Sequence, residues 1–292
     1  MSKKVLITGA TGLIGKECLQ PLLDKGYEVF AISRKQIKND NICFLQGTIF
    51  DNEFVEKVFK KVKPKYLLNF AWITEGDYLS SEDNYLFENA GIALLKEFVK
   101  NGGKNAVFAG TCFEYKQENK ILTEFSPIES KTVYAKCKNS LREKGELFSK
   151  EQGINFAWGR IFYVLGHNEH KTRLMPKLIE SLNSNKDFYI KTPNDVKDYM
   201  YSKDIARAFV EILDKNINGT VNICSGQGFS ILELAKKTAK LLNKEHLIKI
   251  AVEADLHPHL IIGDNSKLKN EIGFNYKYSI DQAIDNILKF KN

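Results

Sequence analysis

The chain has 292 residues, 43% of them hydrophobic, five cysteines and a formal net charge of +7, enough length for a full core and a second lobe. No apolar stretch approaches the ~20 residues that span a bilayer, and Cys18, Cys43, Cys112, Cys137 and Cys224 are widely spaced with no Cys-x-x-Cys pair, which argues against a disulfide framework or a metal site. The lysines are spread over helix faces with no basic arm, zinc finger or aromatic RNA-binding motif beside them, so neither nucleic acid nor membrane is an expected partner.

The N-terminus enters a strand pattern at once, "KVLIT", leaving no room for a signal peptide; the expected location is cytoplasmic. A helix from about Leu13, strands "EVFAIS" and "ICFLQ", a helix from about Asp51, strand "YLLNFAW", helix "LFENAGIALLKEFVK" and strand "NAVFAG" follow in turn. This is the βαβ rhythm of a parallel sheet covered on both faces. A helix from about Thr132 to Glu151 and one strand, "NFAWGRIFYVLG", continue it. Beyond Gly166 come a loop "HNEHKT", a short helix "RLMPKLIESLNS" and short strands "DFYI" and "DYMYS". Asp204 reads as the N-cap of the helix "IARAFVEILDK". Strand "GTVNICSG" and two tail helices complete the chain. The expected fold is α/β, a Rossmann-type doubly wound parallel sheet over residues 1–165, to which 198–225 return, with a smaller C-terminal substrate lobe over 166–292.

In "KVLITGATGLIG" a strand meets a helix across Gly9, Gly12 and Gly15. Gly9 suits a turn closed to other residues, Gly12 a close backbone approach to a ligand, and Gly15 tight packing of the helix. The helix N-terminus directs amides and partial positive charge at the turn, which suits a dinucleotide pyrophosphate. At the end of "EVFAIS" stand Ser33, Arg34 and Lys35 with no acid for a ribose 2′-hydroxyl. A hydroxyl and two cations suit a 2′-phosphate, which favours NADP(H), with NAD(H) the alternative.

Tyr134 and Lys138 lie four apart at the start of a predicted helix and so on one face. An ammonium beside a phenol favours the phenolate and makes the pair a usable proton donor and acceptor. Tyr199 and Lys203 share the spacing, but a strand running into a helix cap gives them no common face.

"TGATGLIG", Gly110-Thr111 after a central strand and "YAKCK" from Tyr134 to Lys138 resemble the extended short-chain dehydrogenases/reductases, in the branch acting on nucleotide sugars; "ENAGIALLKEF", "DYMYSKDIARAF" and "VNICSGQGFSI" are similar to its later segments. The resemblance implies that Thr111 hydrogen-bonds the substrate oxygen, that Tyr134 is the acid/base, and that Lys138 holds the nicotinamide ribose. It implies cofactor contacts from Gly9, Thr11, Gly12, Leu13, Ile14, Ser33, Arg34, Lys35, Thr48, Ile49 and Ala71. Thr48 stands where the family usually has an aspartate near adenine. Trp72 and Cys112 become expected substrate contacts, and Arg173, Lys177 and Lys197 expected partners of a substrate diphosphate. A homodimer through helices near 82–101 and 132–151 is implied too, their apolar residues Leu94, Leu95 and Phe98 serving either that contact or the core.

Within that branch, dehydratases place an Asp-Glu pair after the Ser/Thr, where this chain has Cys112 and Phe113; the fucose-synthase type needs a Cys and a His where this chain has Phe113 and Arg173. His167 and His170 read as solvated loop residues. What remains is hydride transfer alone, an NADPH-dependent reduction of a nucleotide-linked keto sugar, best a 4-keto-6-deoxy sugar. The alternatives are an NAD-dependent 4-epimerase and, in another class, a non-catalytic dinucleotide-binding redox sensor.

Overall fold

A computed structural model describes residues 3–290. In chain order its elements are β1 (Lys3–Thr8), α1 (Gly15–Asp24), β2 (Tyr27–Ser33), β3 (Ile42–Gln46), α2 (Asn52–Val62), β4 (Tyr66–Asn69), α3 (Asp83–Lys100) and β5 (Asn105–Thr111). There follow β6 (Ile121–Leu122), α4 (Val133–Gln152), β7 (Asn155–Ile161), β8 (Tyr163–Leu165), α5 (Leu174–Asn183), β9 (Phe188–Ile190), β10 (Val196–Tyr201), α6 (Ser202–Asp214) and β11 (Gly219–Ile223). The tail holds β12 (Gly228–Ser230), α7 (Ile231–Leu241), β13 (Ile248–Ile250), β14 (Leu260–Gly263) and α8 (Ile280–Lys289).

The main sheet runs β11-β7-β5-β4-β1-β2-β3 with every pair parallel. Its strands are apolar almost throughout because both faces are covered. The α1 and α6 side buries Val5, Ile7, Val107, Phe209 and Val221, and the α2, α3 and α4 side buries Leu6, Phe59, Leu67, Phe98, Phe108 and Trp158. Ile205, Ala206, Phe209, Ile212 and Leu213 recur at helical spacing on α6 and are all fully buried, so packing fixes that helix. Strand order reverses between β1 and β4, which opens a crevice at the carboxyl ends of the strands. A second sheet, β12-β10-β14-β6 with β8 beside β10, and a two-stranded β9-β13 ribbon close the crevice from the other side.

Three local expectations are corrected. "NFAWGRIFYVLG" is two strands, because the chain leaves the main sheet at Phe162, whose amide donates to Ile223 O at 3.2 Å, and β8 joins the second sheet. Asp204 is not the N-cap: that position is Tyr201, with no side-chain cap, and Asp204 sits in the first turn of α6. Its buried carboxylate accepts from Arg207 Nη1 at 2.6 Å and from the Lys277 and Tyr278 amides at 3.0 Å, tying the helix to the tail. The tail also holds three short strands besides its two helices. Leu94, Leu95 and Phe98 are fully buried in the chain's own core, so they offer no surface to a second copy. Among the described residues no helix is long and apolar enough to cross a membrane.

Candidate active site

A cleft of about 1660 Å³ lies where the main sheet faces the second. One drug-sized ligand fills roughly 300–1,000 Å³, so this cleft has room for two molecules.

Its floor is the β1-α1 turn. Gly9 has φ +66°, and a Cβ there would stand 2.7 Å from Ala71 N and Phe70 C, so both conformation and space demand glycine. A Cβ on Gly12 would meet only Gly9 O, at 3.3 Å; the residue lines the cleft and leaves its backbone open to a ligand. Gly15 packs on the carbonyl of Gly9, and any side chain there would overlap it. No side chain caps α1 at Ile14, so its first turn faces the cleft with its own amides. This cradle fits a dinucleotide diphosphate. Thr11, Leu13 and Ile14 line it, as do Thr48 and the buried Ile49. Across the turn, Thr8 Oγ1 donates to Asn69 Oδ1 at 2.5 Å and accepts from Ala71 N at 3.3 Å, which fixes Ala71 at the cleft edge.

Ser33 is buried at the end of β2, and its hydroxyl accepts from the Lys35 amide at 3.2 Å. Arg34 and Lys35 are exposed, line the same cleft and form no ion pair among the described residues. The two cations are therefore available to an anion.

Thr132 caps α4 by accepting from Ala135 N at 3.1 Å, and this starts the helix where Tyr134 and Lys138 share a buried face. Tyr134 is 9% exposed, wedged edge-on between Trp72 and Tyr78, with ring centroids 6.3 and 5.1 Å away. The Thr111 hydroxyl lines the same cleft and is near enough to act on its phenol. Burial, Tyr78, Glu114 and Cys112 push its pKa up, and Thr111 opposes them. Lys138 Nζ donates to Ala109 O at 2.7 Å and lies 3.8 Å from the Trp72 ring centre. Burial pulls Lys138 down to about 7, with Glu114 pulling the other way. The sequence expectation that Lys138 lowers the Tyr134 pKa is thus corrected: Nζ is 5.9 Å from the Tyr134 ring centre, and Thr111 is the group that eases phenolate formation. The Tyr199–Lys203 pair is divided between β10 and α6.

Of the expected substrate contacts, Trp72, Thr111, Cys112, Arg173 and Lys197 line the cleft. Trp72 donates from Nε1 to Asn84 Oδ1 at 2.7 Å. Arg173 donates to Tyr78 Oη at 3.2 Å and Thr74 O at 3.3 Å, so it braces the loop over Tyr134. Lys197 pairs with Asp195 at 3.4 Å. Lys177 is a correction: it is exposed on α5 and does not line the cleft, because the helix turns Met175 and Leu178 inward instead. His167 is another. It is 9% exposed, Nε2 is 2.7 Å from Tyr201 Oη, its ring stacks on Phe290 at 4.3 Å, and burial with Lys203 and Lys16 lowers its pKa. His170 is exposed. Sequence reasoning missed Tyr78, Tyr163, Glu169 and the buried Glu114. Glu169 accepts from the Gly166 amide at 3.0 Å, and burial pushes it up to about 7. Only Glu114 had a visible signal, an acid three residues after Thr111 inside an otherwise apolar run.

A model of the NAD dependent epimerase/dehydratase family matches residues 5–224. The chain is 28% identical to a GDP-6-deoxy-D-talose 4-dehydrogenase of Aggregatibacter actinomycetemcomitans over 96% of this chain and 95% of that protein. It is 25% identical to a UDP-glucose 4-epimerase of Bacillus subtilis over 95% and 94% of the two chains. Among solved structures, a UDP-glucose 4-epimerase from Thermotoga maritima with UDP-glucose superposes with a TM-score of 0.87 at 23% identity, covering 98% of this chain and 97% of that one.

Proposed function

The chain belongs to the NAD dependent epimerase/dehydratase family, and from that premise we propose that it is an NADPH-dependent reductase of a nucleotide-linked keto sugar, best a 4-keto-6-deoxy sugar. The observation that carries this reading is the placing of Thr111, Tyr134 and Lys138 together in the cleft, with no second acid/base at positions 112 and 113. Cys112 is 2% exposed, and burial with Asp198 and Glu114 raises its thiol pKa, so it is no proton carrier at neutral pH. Position 113 is a phenylalanine.

The dinucleotide held by the Gly9–Ile14 turn, Thr48, Ile49 and Ala71 would supply the hydride. Tyr134 gives its proton to the oxygen of the reduced carbon, and Thr111 orients both. Lys138 stands one helical turn from Tyr134 to hold the nicotinamide ribose. Arg34 and Lys35 supply the charge for a 2′-phosphate. Arg173 and Lys197, which line the cleft, would meet the substrate diphosphate, and Trp72 and Cys112 its sugar end.

Purified protein given NADPH and a panel of 4-keto-6-deoxy nucleotide sugars should oxidise NADPH with one of them, and Tyr134→Phe should not. The relation to UDP-glucose 4-epimerases supports a second reading, an enzyme that keeps its own NAD. Protein that carries bound NAD from purification and interconverts 4-hydroxyl epimers with no added cofactor would establish it and reject the reductase. A homodimer through the outer faces of α3 and α4, where Tyr85, Leu86 and Leu147 are exposed, belongs to the same proposal. Light scattering that finds a monomer at micromolar concentration rejects it.

A further inference from the structure

The 3₁₀ turn after β5 carries a carboxylate for which the reduction has no direct use. Glu114 is fully buried, yet four hydrogen bonds converge on it. Oε1 accepts from the Thr111 amide at 2.9 Å, the Trp158 indole N–H reaches Oε1 at 2.9 Å and Oε2 at 3.2 Å, and Oε2 accepts from Arg160 Nε at 2.7 Å. Gly110 leaves the room: a Cβ there would overlap Trp158 Nε1 and stand 2.8 Å from Glu114 Oε1. A buried charge is kept only where its partners are this complete.

Two of these three partners lead to the catalytic group. Thr111 carries the hydroxyl that acts on the Tyr134 phenol. Trp158 turns its ring toward Lys138 Nζ, 5.9 Å from the ring centre. We propose that Glu114 is a positioning residue of the active site, fixing Thr111 through its amide and keeping Lys138 a cation through its own negative charge. The inference rests on the reductase reading for its meaning, but the coupling can be measured without turnover.

The charges around the pair are few. Lys138 touches the Ala109 carbonyl and the Trp72 face, with Tyr134 beyond, and among the described residues no carboxylate contacts it. Tyr134 faces Tyr78, Cys112 and Thr111. Glu114 faces Arg160, which lies over the Tyr115 ring, and Arg142, whose Nε is 4.0 Å away. Burial disfavours the ammonium, and Glu114 is the group that opposes it; the same charge helps to keep the Tyr134 proton in place. Loss of the carboxylate therefore moves both titrations to lower pH. Reduction needs both groups protonated, so the alkaline limb of its pH profile moves down as well.

The test uses dinucleotide-free protein labelled with ¹⁵N-lysine, in which the Lys138 Nζ resonance is assigned by its loss in Lys138→Arg. Glu114→Gln should lower its titration midpoint by about half a pH unit or more, and Glu114→Asp, which keeps the charge, should restore most of the loss. A midpoint unmoved by Gln, or moved equally by Gln and Asp, overturns the proposal. Should Glu114→Gln not fold, Arg160→Met keeps the carboxylate and removes its counter-cation, and the midpoint should rise; no change or a fall overturns the proposal. A moved midpoint in a protein that reduces no keto sugar would reject the reductase and leave the Glu114 coupling standing. Turnover with an unmoved midpoint does the reverse.

Discussion

The Lys138 ammonium lies 3.8 Å from the centre of the Trp72 ring while it donates to the Ala109 carbonyl at 2.7 Å. A π face and one carbonyl are weak compensation for a buried charge, so the lysine is held near its ionisation point, at about 7. It is poised for a ligand that completes its shell. Burial pushes the Tyr134 phenol up, so it keeps its proton at neutral pH.

Tyr134→Phe should leave dinucleotide binding almost unchanged and lower keto reduction at least ~100-fold, since positioned proton transfer contributes roughly 10²–10⁴. Paired measurement of cofactor Kd and turnover checks it. Near wild-type turnover would remove Tyr134 from the role of acid.

The lowered Lys138 pKa has a consequence for stability. The folded chain releases this proton at about 7, against a usual 10.5. Between those values the unfolded chain binds the extra proton, so the site's contribution to stability rises as pH rises. In dinucleotide-free protein, Tm of wild type relative to Lys138→Met should climb from pH 7 to pH 10, by at least ~2 °C on the scale for chains of this size. A flat difference would mean that Lys138 keeps an ordinary pKa in the folded state.

The main sheet was legible because its strands are short apolar runs between amphipathic helices, a pattern that both-sided burial imposes on sequence. The Gly9 turn was legible for the same local reason, since backbone conformation selects the residue. Asp204 was misread because an acid just before an apolar helix looks alike as a cap and as a first-turn anchor for the Lys277 and Tyr278 amides, and those lie over seventy positions along the chain. His167, Glu114 and Glu169 escaped for a related reason. His167 stacks on Phe290, and Glu114 is bonded to Trp158 and Arg160, partners that no local window contains.

Asp204→Ala should destabilise the chain by ~2–4 kcal/mol, because two backbone amides and Arg207 lose a buried acceptor at once. Asp204→Asn, which keeps an acceptor, should recover part of the loss. Denaturant unfolding of the three proteins checks the order. An Ala variant as stable as wild type would show that the tail does not depend on this carboxylate.

On the proposed reading, the end of β2 sets the choice of cofactor. Arg34 and Lys35 line the cleft without ion pairs among the described residues, so a 2′-phosphate would meet charge that is not already compensated. Arg34→Ala should weaken NADPH by one to two powers of ten, for a lost charged hydrogen bond of ~1.5–3 kcal/mol, and leave NADH nearly untouched. Ser33→Asp should go further. The Ser33 hydroxyl already accepts from the Lys35 amide at 3.2 Å, and an aspartate keeps that acceptor while adding a carboxylate that repels the 2′-phosphate and offers the NADH ribose a partner. Paired titration of both cofactors against wild type and the two variants reads the result. Equal losses for NADPH and NADH would make this corner structural, and a preference for NADH in the unmodified chain would favour the epimerase reading, because an enzyme that retains its NAD needs no site for a 2′-phosphate.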